Sequence, residues 1–359
     1  MARTYQLPAS YEAAISAALE PLGYSLREPK RLAEAVLRLS DHYTQNPLAA
    51  TPWAAPWAQA ASLVYYFPLN LARCSAVATE AKRLGFFEGL EGLVDFGSGT
   101  GSAIHAFTDI RGFKALDAID VSKEALELAK QLKPSSTHRL IATTLEKTSM
   151  PKALGDLSRT LLVASYSLTE LTSLPGWWRE AEALAIIEPS TQEDSRKLMG
   201  IRKDLIETGH SIWGPCTHQG ACPLLEMSAR DFCHDRIHWQ APAWFLEMEK
   251  HLPMKNRTLT FSYLLARKTK AAPKALGGLA RLTGDTLEEK GKHRQSVCRG
   301  PEREFLAWFP QRLKKDESIT LDRGSLVRLG TSLSKKATEV RLSAPDSIEE
   351  LDSESEISD

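Results

Sequence analysis

Apolar positions fall at helical spacing through the first stretch of the chain. Tyr11-Glu-Ala-Ala-Ile-Ser-Ala-Ala-Leu and Arg31-Leu-Ala-Glu-Ala-Val-Leu-Arg-Leu each place a stripe on one helix face. A loop rich in Pro and Trp follows from Pro47 to Trp57, and Leu63–Leu84 predicts one or two helices broken near Pro68. Cys74 lies on this stretch and reads as a small buried residue.

From Gly92 the rhythm changes. Short apolar runs at Leu93–Phe96, Ala115–Ile119, Thr160–Ala164 and Leu184–Ile187 alternate with helices near 101–110, 122–132 and 175–183. Runs of this kind, separated by helices, predict a doubly wound α/β fold with a parallel sheet. Thr258–Ala266 is a candidate last strand. An insertion over 190–256 opens with a helix near 193–208, started by Thr191 and Asp194 in a capping box and stopped at Gly209. The predicted organisation is an N-terminal helical region (1–90), a sheet domain (91–270), a small basic and β-rich appendage (271–331) and a disordered acidic tail (332–359).

The net charge of zero hides an uneven distribution. Residues 251–342 carry 20 Lys and Arg against 9 Asp and Glu, whereas 343–359 carry seven acids and no base. A basic segment suits a polyanion, and nucleic acid is favoured over a plain solvated surface. No apolar run reaches the length of a membrane span and no secretory signal pattern opens the chain, so an intracellular protein is expected.

One loop carries ligand chemistry. Val94-Asp95-Phe96-Gly97-Ser98-Gly99-Thr100-Gly101 follows a strand and opens a helix. Glycines here permit a tight turn, and the helix start offers free N–H donors. The spacing is Gly-x-Gly-x-Gly with Asp95 two residues before it, which departs from the dinucleotide pattern. It resembles motif I of class I methyltransferases, which bind S-adenosylmethionine. That resemblance implies cofactor contacts from Asp95, Gly97, Ser98, Gly99 and Gly101, with Asp95 near the cationic methionine end. Asp120 ends the next run, 21 residues after Gly99. It matches the acid that holds the ribose hydroxyls in that family. Thr143–Leu145 is the position expected for the adenine pocket.

The run after the fourth strand reads Ala164-Ser165-Tyr166-Ser167-Leu168-Thr169-Glu170, without the Asn/Asp-Pro-Pro-Tyr/Phe of exocyclic-amine methyltransferases. Tyr166 and Glu170 are candidates to line a substrate pocket. Pro215-Cys216 resembles a cytosine-C5 nucleophile motif but falls in the insertion. No general base is identified, so whether the fold catalyses stays open.

Cys216, Cys222, Cys233 and Cys298 remain. In an intracellular chain, clustered cysteines point to metal or catalysis rather than disulfides. Two readings stay open on spacing alone. One is a four-cysteine site for zinc or an iron–sulfur cluster, with His218, His234 and His238 as alternative ligands. The other is three loop cysteines plus one core cysteine. No Cys-x2-Cys knuckle supports a zinc ribbon.

The cysteine block resembles the mitochondrial and bacterial methyltransferase-like family linked to small-ribosomal-subunit assembly. The matching positions are Pro215, Cys216, His218, Cys222, Pro223, Leu224, Cys233 and His234. Glu188-Pro189-Ser190, Phe261-Ser262-Tyr263-Leu264 with Arg267, and Tyr65, Pro68 and Arg73 are similar too, so the likeness spans roughly 60–300. Thr217, Phe232 and Asp235 depart from the family pattern. The resemblance implies a [4Fe–4S] cluster on Cys216, Cys222, Cys233 and Cys298, and binding to small-subunit rRNA during ribosome biogenesis. It implies the mitochondrial matrix in a eukaryote and the cytoplasm in a bacterium, with no membrane or DNA partner. An active RNA methyltransferase and a non-catalytic protein-binding scaffold are the alternatives.

Basic residues expected to meet phosphate are Lys255, Arg257, Arg267, Lys268, Lys270, Lys274, Arg281, Lys290, Lys292, Arg294 and Arg299. Trp308 and Phe309 are candidates for base stacking, with core packing the favoured role.

Overall fold

The structure is a computed structural model describing residues 3–46, 49–133, 138–143, 150–168, 171, 174–314, 317–330, 333–351 and 357. The alternating runs form strands of one sheet: β1 (Thr4–Gln6), β2 (Gly92–Phe96), β3 (Ala115–Asp120), β4 (Arg139–Ala142), β5 (Thr160–Ser165), β6 (Ala183–Glu188), β7 (Ser211–Gly214), β8 (Asp235–Gln240) and β9 (Thr258–Arg267). Their order among the described residues is β1-β8-β9-β6-β5-β2-β3-β4, with β7 also on β9. Strands β2 to β6 pair in parallel, and β9 runs antiparallel between β6 and the β7 and β8 strands. A parallel sheet reversing outward from β2, with an antiparallel strand inserted beyond β6, is the class I methyltransferase fold. Strands β2 and β6 are buried at every position, as expected when helices cover both faces.

The helices are α1 (Ala9–Leu19), α2 (Pro29–Gln45), α3 (Pro56–Ala61), α4 (Phe67–Arg83), α5 (Ser102–Ile110), α6 (Lys123–Leu132), α7 (Gln192–Glu207), α8 (Pro223–Met227) and α9 (Ala243–Glu249). One face of the sheet packs against α1, α2, α4, α5 and α6. The other packs against α7 and the Trp177–Trp178 pair. The break expected near Pro68 is a π-helical stretch, Ser62–Tyr66, which lets Pro68 enter in the first turn of α4. The start of α7 is capped as its sequence indicates, Thr191 Oγ1 accepting from the Asp194 N–H at 3.1 Å. Gly209, at φ 91°, follows its last turn.

A second sheet holds β10 (Ala280–Leu282), β11 (Leu287–Glu289), β12 (Lys292–Cys298), β13 (Glu304–Trp308), β14 (Leu326–Leu329), β15 (Ser334–Lys336), β16 (Glu339–Arg341) and β17 (Ile348–Glu350). Its order is β15-β16-β13-β12-β10-β14-β17, with β11 on β12. Leu282, Leu306, Trp308 and Val327 form its core.

Two features differ from the sequence reading. Residues 1–90 were expected to be helical, yet Thr4–Gln6 pairs in parallel with β8; three residues are too few to show a period. The tail expected to be disordered from 332 supplies both edges of the second sheet, β16 pairing with β13 and β17 with β14. Val340 and Leu342 are buried there, and Glu339 and Glu349 meet Lys292 at 2.7 Å and Arg328 at 2.6 Å. Composition counts the acids without seeing the sheet edge and the cations that receive them.

Candidate cofactor loop and cysteine cavity

The loop between β2 and α5 turns through three glycines with left-handed backbone: Gly97 at φ 68°, Gly99 at 51° and Gly101 at 79°. A Cβ on Gly97 would lie 2.7 Å from Ser167 Cβ, and one on Gly101 would lie 2.9 Å from Ala129 Cβ and His105 Nε2. Both conformation and space therefore demand glycine. Trp53 approaches from the N-terminal region, 4.0 Å from where a Gly99 Cβ would sit.

Asp95 and Asp120 stand at the ends of β2 and β3. Asp95 is buried, its Oδ2 accepting from Ser98 Oγ at 2.8 Å and from the Ile104 N–H at 3.0 Å. Burial pushes its pKa up to about 7 against the opposing hydrogen bonds. Asp120 accepts from the Gly99 N–H at 2.8 Å and the Ser122 N–H at 2.9 Å, and burial raises its pKa as well. The loop thus gathers Asp95, Gly97, Ser98, Gly99, Gly101 and Asp120 at one end of the sheet. Of the expected adenine region, Thr143 donates its N–H to Asp120 O at 3.0 Å, and residues 144 and 145 lie outside the described residues.

At the end of β5, Tyr166 takes φ 59°, an unusual conformation for a bulky side chain. Its N–H donates to Ile187 O at 2.8 Å, and the Arg73 guanidinium lies 5.7 Å from its ring centre. Glu188 accepts from the Leu168 N–H at 3.0 Å, and burial moves its pKa to about 8. Among the described residues, its other oxygen and Ser167 Oγ are buried with no hydrogen-bond partner. Lys197 on α7 donates to Leu168 O at 2.6 Å and Leu171 O at 2.5 Å. Glu170 lies outside the described residues.

The other cluster is a cavity beside α7 walled by Cys216, Cys222, Cys233 and Cys298 together with Arg202, Leu198, Leu224 and Tyr263. Cys216 follows β7, Cys222 caps α8, Cys233 precedes β8, and Cys298 ends β12 of the second sheet. None of the five cysteines is paired in a disulfide. Burial raises the pKa of Cys222, Cys233 and Cys298, the last to about 12, and the neighbouring thiols add to each shift. Among the described residues, no three His, Cys, Asp or Glu side chains converge as a single-ion site. Arg202 donates Nε–H to Cys216 Sγ at 3.1 Å, and His218 Nε2 lies 3.4 Å from Cys298 Sγ. His234 instead lies 3.4 Å from Arg323 Nη1.

The family model described as mitochondrial small ribosomal subunit Rsm22 matches residues 60–306. The chain belongs to the Rsm22 family. No curated protein matches it in sequence. Solved structures similar to it include several methyltransferases. A SAM-dependent methyltransferase from Aquifex aeolicus is 16% identical, with 54% of this chain and 93% of that one covered at TM-score 0.33. A ribosomal protein L11 methylase from Lactobacillus delbrueckii subsp. bulgaricus is 15% identical, covering 55% and 77% at 0.30. The plantazolicin methyltransferase BpumL, solved with SAH, is 11% identical, covering 67% and 98% at 0.36. No described helix of the Rsm22-family chain is long and apolar enough to cross a membrane.

The basic stretch needs correction. Arg267 and Arg281 are each only 3% exposed. Arg267 binds Glu182 at 2.9 Å and the carbonyls of Phe86 and Glu88, while Arg281 binds Glu80. Lys270, Lys292, Arg294 and Arg299 pair with Glu88, Glu339, Glu289 and Glu304. Lys255, Arg257, Lys268, Lys274 and Lys290 are exposed. Trp308 is buried in the second sheet, and Phe309 lies under Arg312 at 4.5 Å. No sequence motif points to Arg202, Glu80 or Lys197, and Glu188 stands out only in the Glu188-Pro189-Ser190 likeness. Arg202 left one signal, since it falls four residues after Leu198 and three before Leu205, on the buried helix face.

Proposed function

We propose that this Rsm22-family chain is a methyltransferase-like assembly factor of the small ribosomal subunit that binds S-adenosylmethionine, a [4Fe–4S] cluster and rRNA. The observation that carries the reading is the pairing, in one chain of this family, of two distinct features. One is a glycine loop with buried carboxylates at the strand ends; the other is a cavity walled by four thiols. S-adenosylmethionine carries an electrophilic methyl group and a cationic amino end. Asp95 would face the amino end and Asp120 the ribose hydroxyls, while the loop N–H groups and glycine backbone permit close approach. Cys216, Cys222, Cys233 and Cys298 would hold the cluster, which supplies a cross-link and a one-electron centre. Four thiols spread around a cavity suit a polynuclear cluster better than one tetrahedral ion, whose ligands must meet within about 2.3 Å of a point.

The family's name and the net positive 251–342 segment support an rRNA partner, with Lys255, Arg257, Lys268, Lys274 and Lys290 among the exposed cations of that stretch. The mitochondrial name supports the matrix as the place of action.

Anaerobically purified protein tests the reading in three measurements. Calorimetric titration with S-adenosylmethionine should give binding that Asp120→Ala weakens. Iron and labile sulfide should appear at roughly four per chain with absorption near about 400 nm. Small-subunit RNA should bind in a salt-dependent way. Labelled methyl transfer to that RNA would replace the assembly-factor reading with the enzymatic one. Absence of cofactor binding would favour a protein-binding scaffold.

A further inference from the structure

Arg202 projects from α7 into the cysteine cavity with only 3% of its surface exposed. Its Nε–H donates to Cys216 Sγ at 3.1 Å, and Nη2 donates to the carbonyls of His218 and Gly220, both at 2.8 Å. One fork therefore ties a ligand sulfur to the turn that follows it. Among the described residues, no carboxylate lies within ion-pair distance of this guanidinium. The other deeply buried arginines all have one: Arg83 and Arg281 meet Glu80, and Arg267 meets Glu182. Burying a cation without an anion is costly. The groups around Arg202 that can become anionic are the thiols of Cys216, Cys222 and Cys298. A four-thiolate iron–sulfur cluster carries net negative charge in its common oxidation states, so it would supply the missing counter-ion.

We propose that Arg202 is the built-in counter-charge and sulfur hydrogen-bond donor of the cysteine centre, a positioning residue that sets the cluster's reduction potential and its hold on Cys216. This rests on the cluster reading above. A fixed positive charge and an N–H···S bond both favour the more negative, reduced cluster, so they raise its potential. They also keep the Cys216 loop closed around the metal.

The test compares full-length wild type, R202Q and R202K, purified anaerobically. Each is reduced stepwise with dithionite while visible absorption is followed, then challenged with an iron chelator. R202Q should half-reduce at a more negative potential and lose iron roughly tenfold faster, the size expected of an outer-shell partner. R202K keeps the charge but not the three-point fork, so its potential should lie between the two while its iron loss stays fast. Circular dichroism and S-adenosylmethionine affinity should be unchanged. If R202Q does not fold, R202K decides the matter through its iron-loss rate. Wild-type potential and release rate in the variants would overturn the role of Arg202 and leave the cluster standing. Wild type with zinc, or without iron and sulfide, would overturn the cluster reading and the role of Arg202 together.

Discussion

The Arg281 guanidinium of the second sheet is buried against the Glu80 carboxylate of α4, 201 residues away in the chain. Arg281 also donates to Pro215 O at 3.0 Å and Gly324 O at 2.8 Å, and Arg83 joins Glu80 at 3.3 Å. This pair fastens the second sheet to α4, which packs on the first sheet, beside the cysteine cavity. Removing one partner leaves an uncompensated buried charge, so Glu80→Gln should destabilise the protein by about 3–5 kcal/mol in urea unfolding. Replacing both, E80M with R281M, should recover part of the loss, because Arg83 loses the same carboxylate. A double variant no better than E80Q would show that the pair is not the fastening.

The same carboxylate gives a pH dependence. Burial alone would raise Glu80, but the charges of Arg281 and Arg83 overcome it and hold the pKa at about 2. A carboxyl depressed on folding contributes stability that is complete above its unfolded value, near about 4.3, and lost as pH falls towards 2. Wild type should therefore lose more stability than E80Q between those limits. Parallel curves would rule out this linkage.

Asp95 runs the other way. Burial lifts its pKa to about 7, so its contribution to folding is complete below the ordinary carboxyl value and is lost as pH rises through 7. The charge that forms over that window is the one a cationic methionine end would meet. S-adenosylmethionine affinity should rise from pH 6 to 8 in wild type. Asp95→Asn should flatten that profile and bind about tenfold more weakly at pH 8, the scale of one charged hydrogen bond. An unchanged slope in the variant would remove Asp95 from the binding step.

The parts of this molecule legible in its sequence are those set by local periodicity. The apolar runs from Leu93 to Ile187 appear as β2, β3, β5 and β6, and the Asp95–Gly101 loop lies between strand and helix as its glycines imply. Strands β1 and β4 have only three and four residues, too few for a period to show. Charge was the weakest guide. Arg267 and Arg281 count as basic residues in a basic stretch, yet each is consumed by a carboxylate far away in sequence, Glu182 or Glu80. The cysteine spacing could not decide between a site and scattered loops, because Cys298 reaches the cavity only through the pairing of β12 with β10 and β13.

Gly101 offers a test of the loop that requires no ligand. Its φ of 79° and the 2.9 Å approach of Ala129 Cβ both oppose a side chain. Gly101→Ala should cost about 1–3 kcal/mol through strain and overpacking. Gly112→Ala meets nothing within 4 Å and has no left-handed φ, so it should stay within about 0.5 kcal/mol of wild type. Equal melting temperatures for the two variants would mean that the tight loop is not as constrained as its geometry indicates.

Cys298 is the one cysteine of the four that the second sheet contributes. If it ligates the cluster, it closes a long loop back to Cys233, which limits the freedom of the second sheet relative to α7. Cys298→Ser should lower bound iron and weaken small-subunit RNA binding several-fold, leaving S-adenosylmethionine affinity as it was. The loss should be partial because Arg281 still holds Glu80. The cluster and the ion pair then act on one junction. C298S combined with E80Q should lose more RNA affinity than the two single effects summed, as expected of coupled sites. Additive losses would mean that the cysteine centre and the ion pair act independently, and unchanged RNA affinity in C298S would separate the cluster from RNA binding altogether.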